Sequence, residues 1–302
     1  MANTITGTKG NDTFDSYITN DVFDGGTGTD TMVFNGPRSN FTITRTADGY
    51  SITDTTGAEG KDELRNIELI KFSDTTLDIE YYDVVQQLYV AYFGRATDSA
   101  ALINFAGTLK SYGASSNIQE LNTAYANNAQ IRDLIDTFGT SAESNALYTG
   151  DTTSFVTAVF QNVLNRPPQT DGLTFWRDAI DEGRLTKANA ALAIMAGALA
   201  NTSAQGVLDA ALINNKIRVA TNFTCSIDTA SEMNGYRGSG PASMVRSMLA
   251  NVTSSTDVEA FQATVESTLS SMAGSSGASP QGHQDAGILA QLVGVSPGIE
   301  LL

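Results

Sequence analysis

Asp12, Asp21 and Asp30 stand nine residues apart, and each is followed two positions later by an apolar side chain, Phe14, Phe23 and Met32. In register the segments read GTKGNDTFD (7–15), SYITNDVFD (16–24) and GGTGTDTMV (25–33). The third fits G-G-x-G-x-D-x-apolar-x at every specified position. The first keeps one leading glycine and the rest of the pattern, and the second keeps only the aspartate and the apolar residue. These residue types specify oxygen chemistry. A Gly-rich turn adopts backbone angles closed to other residues, and it exposes carbonyl oxygens beside a carboxylate. Such a donor set suits a hard cation, calcium in particular. The apolar residue at position eight then points inward from a short strand, so one nine-residue unit supplies both ligand and core.

Two nonapeptides complete one coil of a parallel β-roll. Asp12 and Asp30, 18 residues apart, therefore share one edge, with Gly7, Gly10, Gly25, Gly26 and Gly28 supplying backbone oxygens. Asp21 falls on the opposite edge, where its own turn, SYITN, lacks glycine. The spacing predicts one good calcium site rather than a long ladder; the competing reading is a set of Gly/Asp/Thr turns without metal. The nonapeptides resemble the RTX (repeats-in-toxin, hemolysin-type) calcium-binding family of secreted bacterial proteins. The next segment extends the resemblance. Residues 41–74 alternate apolar and polar through Phe41, Ile43, Tyr50 and Ile52, as a hairpin does. GAEGKDEL (57–64) is a degenerate further copy that adds Asp62 to the candidate metal residues, and NIELIKFSD (66–74) is similar to the strand that closes RTX-associated β modules. The resemblance spans residues 4–79. It implies Ca2+ as cofactor and export through a type I channel by an uncleaved C-terminal signal. It also implies folding coupled to calcium outside the cell, where affinities of about 10⁻⁴–10⁻³ M suffice.

Composition narrows the functional classes. Thirty-three acidic against 17 basic residues give a net charge of −16, and no basic stripe exists to displace counterions, so nucleic acid is excluded as a partner. Residues 1–79 hold 13 acidic and 6 basic side chains, whose self-repulsion opposes compaction until cations screen it. Cys225 is the single cysteine, which rules out an intramolecular disulfide. No stretch approaches 18 consecutive apolar residues, so no membrane span is expected. MANTITGTKG lacks the basic and apolar regions of a cleavable signal peptide, while the apolar segment 287–302, GILAQLVGVSPGIELL, is compatible with a type I signal.

Near residue 80 the composition turns helical. Val85, Leu88, Tyr89, Tyr92 and Phe93 recur at three- and four-residue intervals, predicting an amphipathic helix that ends at Gly94-Arg95, followed by a helix carrying Leu102, Phe105 and Leu109. At an offset of 71, Val156, Val159, Phe160, Leu164, Arg166, Leu173, Trp176 and Ile180 repeat the pattern. YVAYFGRATD (89–98) and FQNVLNRPPQTDGLTFW (160–176) resemble the phycobilisome-linker-like domain of unknown function that accompanies RTX repeats in secreted bacterial proteins; this implies no catalysis. Arg95 and Arg166 read as helix-end residues that bond terminal carbonyls or pair with a carboxylate such as Asp171, with a partner contact as the alternative. Trp176 and its aromatic equivalents read as core.

Catalytic machinery is missing from the pattern. His283, the one histidine, lies in a Gly/Ser-rich stretch (275–287), unsuited to a Ser-His-Asp relay. No H-E-x-x-H, G-x-S-x-G, Walker or G-x-G-x-x-G motif occurs. The expected architecture is a two-domain α+β chain: an RTX-like calcium-binding β module (1–79), a helical domain with two related helix-turn-helix copies (80–224), and a region (225–302) made of a helical extension, a Gly/Ser-rich linker and an apolar C-terminus that serves as a secretion signal or docking segment. Residues 220–302 read as too extended in composition to form one compact unit. The expected protein is extracellular or at the cell surface, non-enzymatic, and structural. It self-assembles through calcium into a homo-oligomeric lattice, surface layer, sheath or filament. The alternatives are a monomeric calcium-dependent adhesin for a cell-surface glycan or matrix ligand, and a carrier module secreted alongside an enzyme.

Overall fold

The computed structural model describes residues 3–274; His283 and the apolar 287–302 segment lie outside the described residues. The nonapeptide spacing becomes four three-residue strands, β1 (Thr4–Thr6), β2 (Thr13–Asp15), β3 (Val22–Asp24) and β4 (Thr31–Val33). β1 runs parallel to β3 with Thr4 opposite Val22, and β2 parallel to β4 with Thr13 opposite Thr31. Each coil is therefore 18 residues. A hairpin, β5 (Phe41–Arg45) and β6 (Tyr50–Asp54), then interrupts the winding. The roll resumes with β7 (Lys61–Arg65) parallel to β3 and β8 (Leu69–Lys71) parallel to β4, and β9 (Thr76–Asp78) closes the second sheet in antiparallel fashion. The sheets are ordered β1-β3-β7-β6-β5 and β2-β4-β8-β9. Their inward residues Phe23, Met32, Ile52, Leu64 and Ile70 are almost wholly buried.

Twelve helices follow among the described residues: α1 (Tyr82–Phe93), α2 (Ser99–Ser111), α3 (Ile118–Asn127), α4 (Ala129–Thr140), α5 (Ala142–Leu147), α6 (Thr152–Leu164), α7 (Thr170–Asp181), α8 (Lys187–Ala200), α9 (Ala204–Cys225), α10 (Ala230–Gly235), α11 (Ser239–Ala250) and α12 (Val258–Gly274). The chain is thus α+β, strands first. α1 is more enclosed than the amphipathic helix its spacing predicts. Ten of its 12 residues are buried, because α2, α6, α8 and α9 pack around it, and the buried Gln86 amide is met by Ala220 and Thr224 of α9. α9 joins the halves by packing on β5, α1, α8 and α12. Among the described residues no single helix is long and apolar enough to cross a membrane.

The two related helix pairs end alike. α1 and α6 both stop at a left-handed residue, Gly94 (φ 66°) and Asn165 (φ 56°), 71 positions apart. Glycine is required at the first, since a Cβ there would meet the Asn162 Oδ1 at 2.6 Å. Asparagine tolerates the second conformation and uses it. Its Nδ2 donates to the Ala250 and Val252 carbonyls at 3.0 and 2.7 Å, while its Oδ1 accepts from the buried Lys216 Nζ at 2.6 Å. Burial without a carboxylate lowers the Lys216 pKa to about 7.

Arg95 pairs with a carboxylate, as its reading as a helix-end residue expects: at 2 % side-chain exposure it donates to Glu143 through Nε (2.9 Å) and Nη2 (2.7 Å) and stacks on Tyr89, Phe93 and Tyr236. Three expectations need correction. Arg166 pairs with Asp209 of α9 at 2.5 Å rather than with Asp171, because α9 crosses the end of α6. Trp176 is only half-buried and its neighbour Phe175 is 56 % exposed; α7 lies at the periphery against α6 and α8, whereas Phe105 in the first copy is fully core. Finally, residues 225–274 are not an extended tail. Val245, Met248, Leu249, Val265, Leu269 and Met272 are buried in the same hydrophobic core as the rest.

The Arg95–Glu143 pair yields a stability prediction. Glu143→Ala strands a desolvated guanidinium and should cost about 3–5 kcal/mol, read by urea unfolding in calcium. A loss below about 1 kcal/mol, the range of an exposed pair, would contradict this account.

Candidate calcium site

The residue before each three-residue roll strand, and in β7 the second residue, Asp62, which aligns with Asp21, occupies an equivalent position on an edge of the roll. On one edge these are Asp12, Asp30 and Glu68; on the other they are Asn3, Asp21 and Asp62. Each main-chain N–H in such a position donates to the carboxylate of the next coil. Asp12 N–H donates to Asp30 Oδ1 at 2.7 Å and Asp30 N–H to Glu68 Oε2 at 2.8 Å. Across the roll, Asn3 N–H donates to Asp21 Oδ1 at 2.8 Å and Asp21 N–H to Asp62 Oδ1 at 3.0 Å. Hydroxyls complete the sets: Thr8 donates to Asp12 Oδ2 through N–H (2.6 Å) and Oγ1 (2.9 Å), Thr19 to Asp21 at 2.6 Å, and Ser16 to Asp62 at 2.8 Å.

The glycines sit where oxygens crowd the turns. A Cβ on Gly7 would lie 2.5 Å from the Gly25 carbonyl oxygen and 2.8 Å from Asp12 Oδ2. One on Gly25 would lie 2.1 Å from the Asn66 carbonyl oxygen and 2.5 Å from Asp30 Oδ2. Gly26 and Gly28, at φ 88° and 137°, face the Thr8 and Gly10 carbonyl oxygens at 2.5 and 2.7 Å on the same measure. Gly10 alone has room for a side chain, and its contribution is the carbonyl. Coil against coil, the first edge is thus lined by main-chain and carboxylate oxygens.

Asp30 carries the test of fit. It is fully buried, its Oδ1 is satisfied by Asp12, and its Oδ2 has no hydrogen-bond donor among the described residues. A buried, unneutralised carboxylate oxygen beside a carbonyl oxygen is costly, and a hard cation removes that cost. The donor chemistry of this edge therefore suits calcium. No cluster of three or more His, Cys, Asp or Glu among the described residues is arranged to hold a metal; the oxygens crowding these turns include the Thr8, Gly10, Gly25 and Asn66 carbonyls.

The opposite edge differs electrostatically. Thr19 and Asn3 hold Asp21 below the usual carboxylate range. Burial pushes Asp62 up to about 6, and the charges of Asp21 and Glu59 add to the rise. Glu59 is itself buried, with Oε1 accepting from Asn35 N–H at 2.9 Å and Oε2 unpartnered among the described residues. Sequence patterning missed Asn3, Glu59, Asn66 and Glu68. The turn before β8 is shortened to Asn66-Ile67-Glu68, which breaks the nine-residue register; the remaining signal was an acid directly before the apolar pair Leu69-Ile70.

Residues 1–32 match the family model described as the RTX calcium-binding nonapeptide repeat (4 copies). Residues 135–201, from α4 into the turn after α8, match a domain of unknown function, DUF4214. No curated protein and no solved structure matches. The first match identifies Ca2+ as the cofactor of the N-terminal turns. Together the matches point to a structural or binding protein rather than an enzyme.

Asp62 sets a pH dependence. A carboxyl at about 6 when folded and 3.8 when unfolded binds more protons in the folded state. The metal-free protein therefore gains stability from this group as pH falls from about 7 to about 4. The difference between wild type and Asp62→Asn in chelator, followed by thermal unfolding across that range, should show this slope; parallel curves would contradict it. Separately, Asp30→Asn should weaken calcium binding by about tenfold or more (about 1.4 kcal/mol) in calorimetric titration.

Proposed function

We propose that this is an extracellular, non-catalytic protein whose β-roll folds on calcium and then self-assembles into a layer, sheath or filament at a bacterial surface. Asp12 and Asp30, with the carbonyl oxygens of Thr8, Gly10, Gly25 and Asn66, would hold the principal ion. Asp21 and Asp62 with Glu59 would form the weaker edge. The bound ion supplies the positive charge that the crowded carboxylates need. At the low calcium of a cytosol those carboxylates repel and loosen the roll. Millimolar calcium outside the cell then couples binding to folding, which suits passage through a type I export channel.

The observation that carries assembly is the unfinished end of the roll. Among the described residues β1 and β2 are edge strands, each paired on one side only, whereas β5 and β9 terminate the other end as antiparallel strands. Ile5 and Phe14 at the open end are only partly buried, while their counterparts Phe23 and Met32 are almost wholly so. Beside them Tyr17 and Ile18 are 60 % and 78 % exposed. Unpaired strand edges next to apolar surface favour pairing with another chain. The second reading, a monomeric calcium-dependent adhesin, draws on a polar cleft between the sheet and α12.

Sedimentation velocity in chelator and then in millimolar calcium separates the readings. Assembly requires that a slow, expanded monomer become large species on calcium addition. It also requires that Thr4→Pro, which removes a strand-edge donor, block growth without blocking compaction. Compaction to a stable monomer favours adhesion. No response to calcium would defeat both.

A further inference from the structure

β7 uses its two faces for different ends. Asp62 and Leu64 point into the roll, while Lys61, Glu63 and Arg65 point outward. Register places Thr53 opposite Lys61 and Ser51 opposite Glu63 on β6, and Thr44 opposite Ser51 on β5. These residues form the floor of a cleft of about 560 Å³, within the size range of small-ligand sites. α9 contributes Arg218 to one wall, and the start of α12 contributes Gln262 and the rim residues Asp257 and Glu259.

The charges in this cleft are unequally committed. Arg45 is held by Asp83 at 2.8 Å. Arg65 and Lys61 make only long contacts, 3.4 Å to Asp48 and 3.6 Å to Glu63, and both cations are nearly half-exposed; such pairs cost little to exchange. Arg218 donates to Asn215 Oδ1 and has no carboxylate ion pair among the described residues. Gln262 anchors its Nε2 on Ser226 Oγ at 3.0 Å, which leaves Oε1 unpartnered, as is Ser51 Oγ on the floor. The cleft thus offers an uncommitted guanidinium and two loosely held cations for an anion. The acid and amide oxygens (Glu63, Glu259, Gln262) and the threonine hydroxyls Thr44 and Thr53 offer acceptors and donors for hydroxyl groups.

We propose that this cleft binds a carboxylated saccharide unit, with the sugar carboxylate on Arg218 and Arg65 and its hydroxyls on Glu63, Gln262 and the threonines. A neutral sugar leaves Arg218 unmatched, and a simple anion leaves the oxygen acceptors unmatched; a hydroxyl-rich acid satisfies both. The inference stands whether or not the chain assembles, because the cleft lies on the outward face of the hairpin sheet, away from the open end of the roll.

The probe is a glucuronic-acid-containing oligosaccharide, titrated calorimetrically into the full-length protein at fixed millimolar calcium, with an uncharged glucose oligosaccharide of equal length as comparison. The acidic ligand should bind, the neutral one at least tenfold more weakly, and Arg218→Ala should lower affinity for the acidic ligand by tenfold or more. Arg177→Ala, which removes an exposed cation elsewhere, should leave it unchanged. Because Arg218 also contacts Asn215, Thr44→Trp serves as a second variant that fills the cleft from its floor and should abolish binding. Equal binding of the neutral ligand, no binding of either, or wild-type binding by a folded Thr44→Trp protein would each overturn the assignment.

Discussion

The N-terminal half depends on one interaction, a carboxylate accepting the main-chain N–H of the equivalent residue one coil earlier. Hydrogen bonds of this kind hold the strands of successive coils in register at both edges, Asp12 to Asp30 to Glu68 and Asn3 to Asp21 to Asp62. The arrangement also concentrates negative charge in two columns. Strands of three residues contribute few ladder bonds, so the roll cannot rely on its sheets to overcome that repulsion. Calcium is the natural counter-charge for the carboxylates that fix the register.

The helical half solves a different problem. Its central helix, α1, is buried over ten of its 12 residues and ends in a buried guanidinium. Arg95 is tolerated there because Glu143 meets it with two charge-assisted bonds and three aromatic rings flank it. The related position, Arg166, is less enclosed and meets Asp209 instead. A repeated helix pair has thus kept its left-handed stop and its arginine while changing the carboxylate that answers it. α9 supplies Asp209 and Lys216 to the end of α6, Asn215 to the turn before α12 and Asn222 to the hairpin sheet, so a single helix ties the three together.

Much of this was legible in the residues. The period of nine gave the strands and their pairing, because a local turn and one inward side chain define each unit and nothing distant is needed. The offset of 71 gave two helix pairs ending alike for the same reason. What escaped the sequence depended on distance. Glu68 sits in a shortened turn, outside the period, and only three-dimensional winding brings it level with Asp30. Asp209 lies far along the chain from Arg166, so a nearer acid, Asp171, was the natural but mistaken choice. Trp176 has the spacing of a core residue, yet periodicity reports which face of a helix is apolar and not whether another element covers it.

β7 connects the two polar sites. Its alternation puts Asp62 on the second carboxylate edge of the roll and Lys61, Glu63 and Arg65 on the cleft floor, and a strand cannot shift one face without the other. Asp62 is also the carboxyl that burial disfavours most clearly in charged form, so β7 rests on the least comfortable link of its ladder. A cation at that edge would relieve the charge and fix the strand's register against β3. The outward residues would then be held at the spacing the cleft requires. Loss of such a cation would loosen the same strand and the cleft floor with it, so a ligand held there would depend on calcium through strand geometry, with no calcium–ligand contact needed.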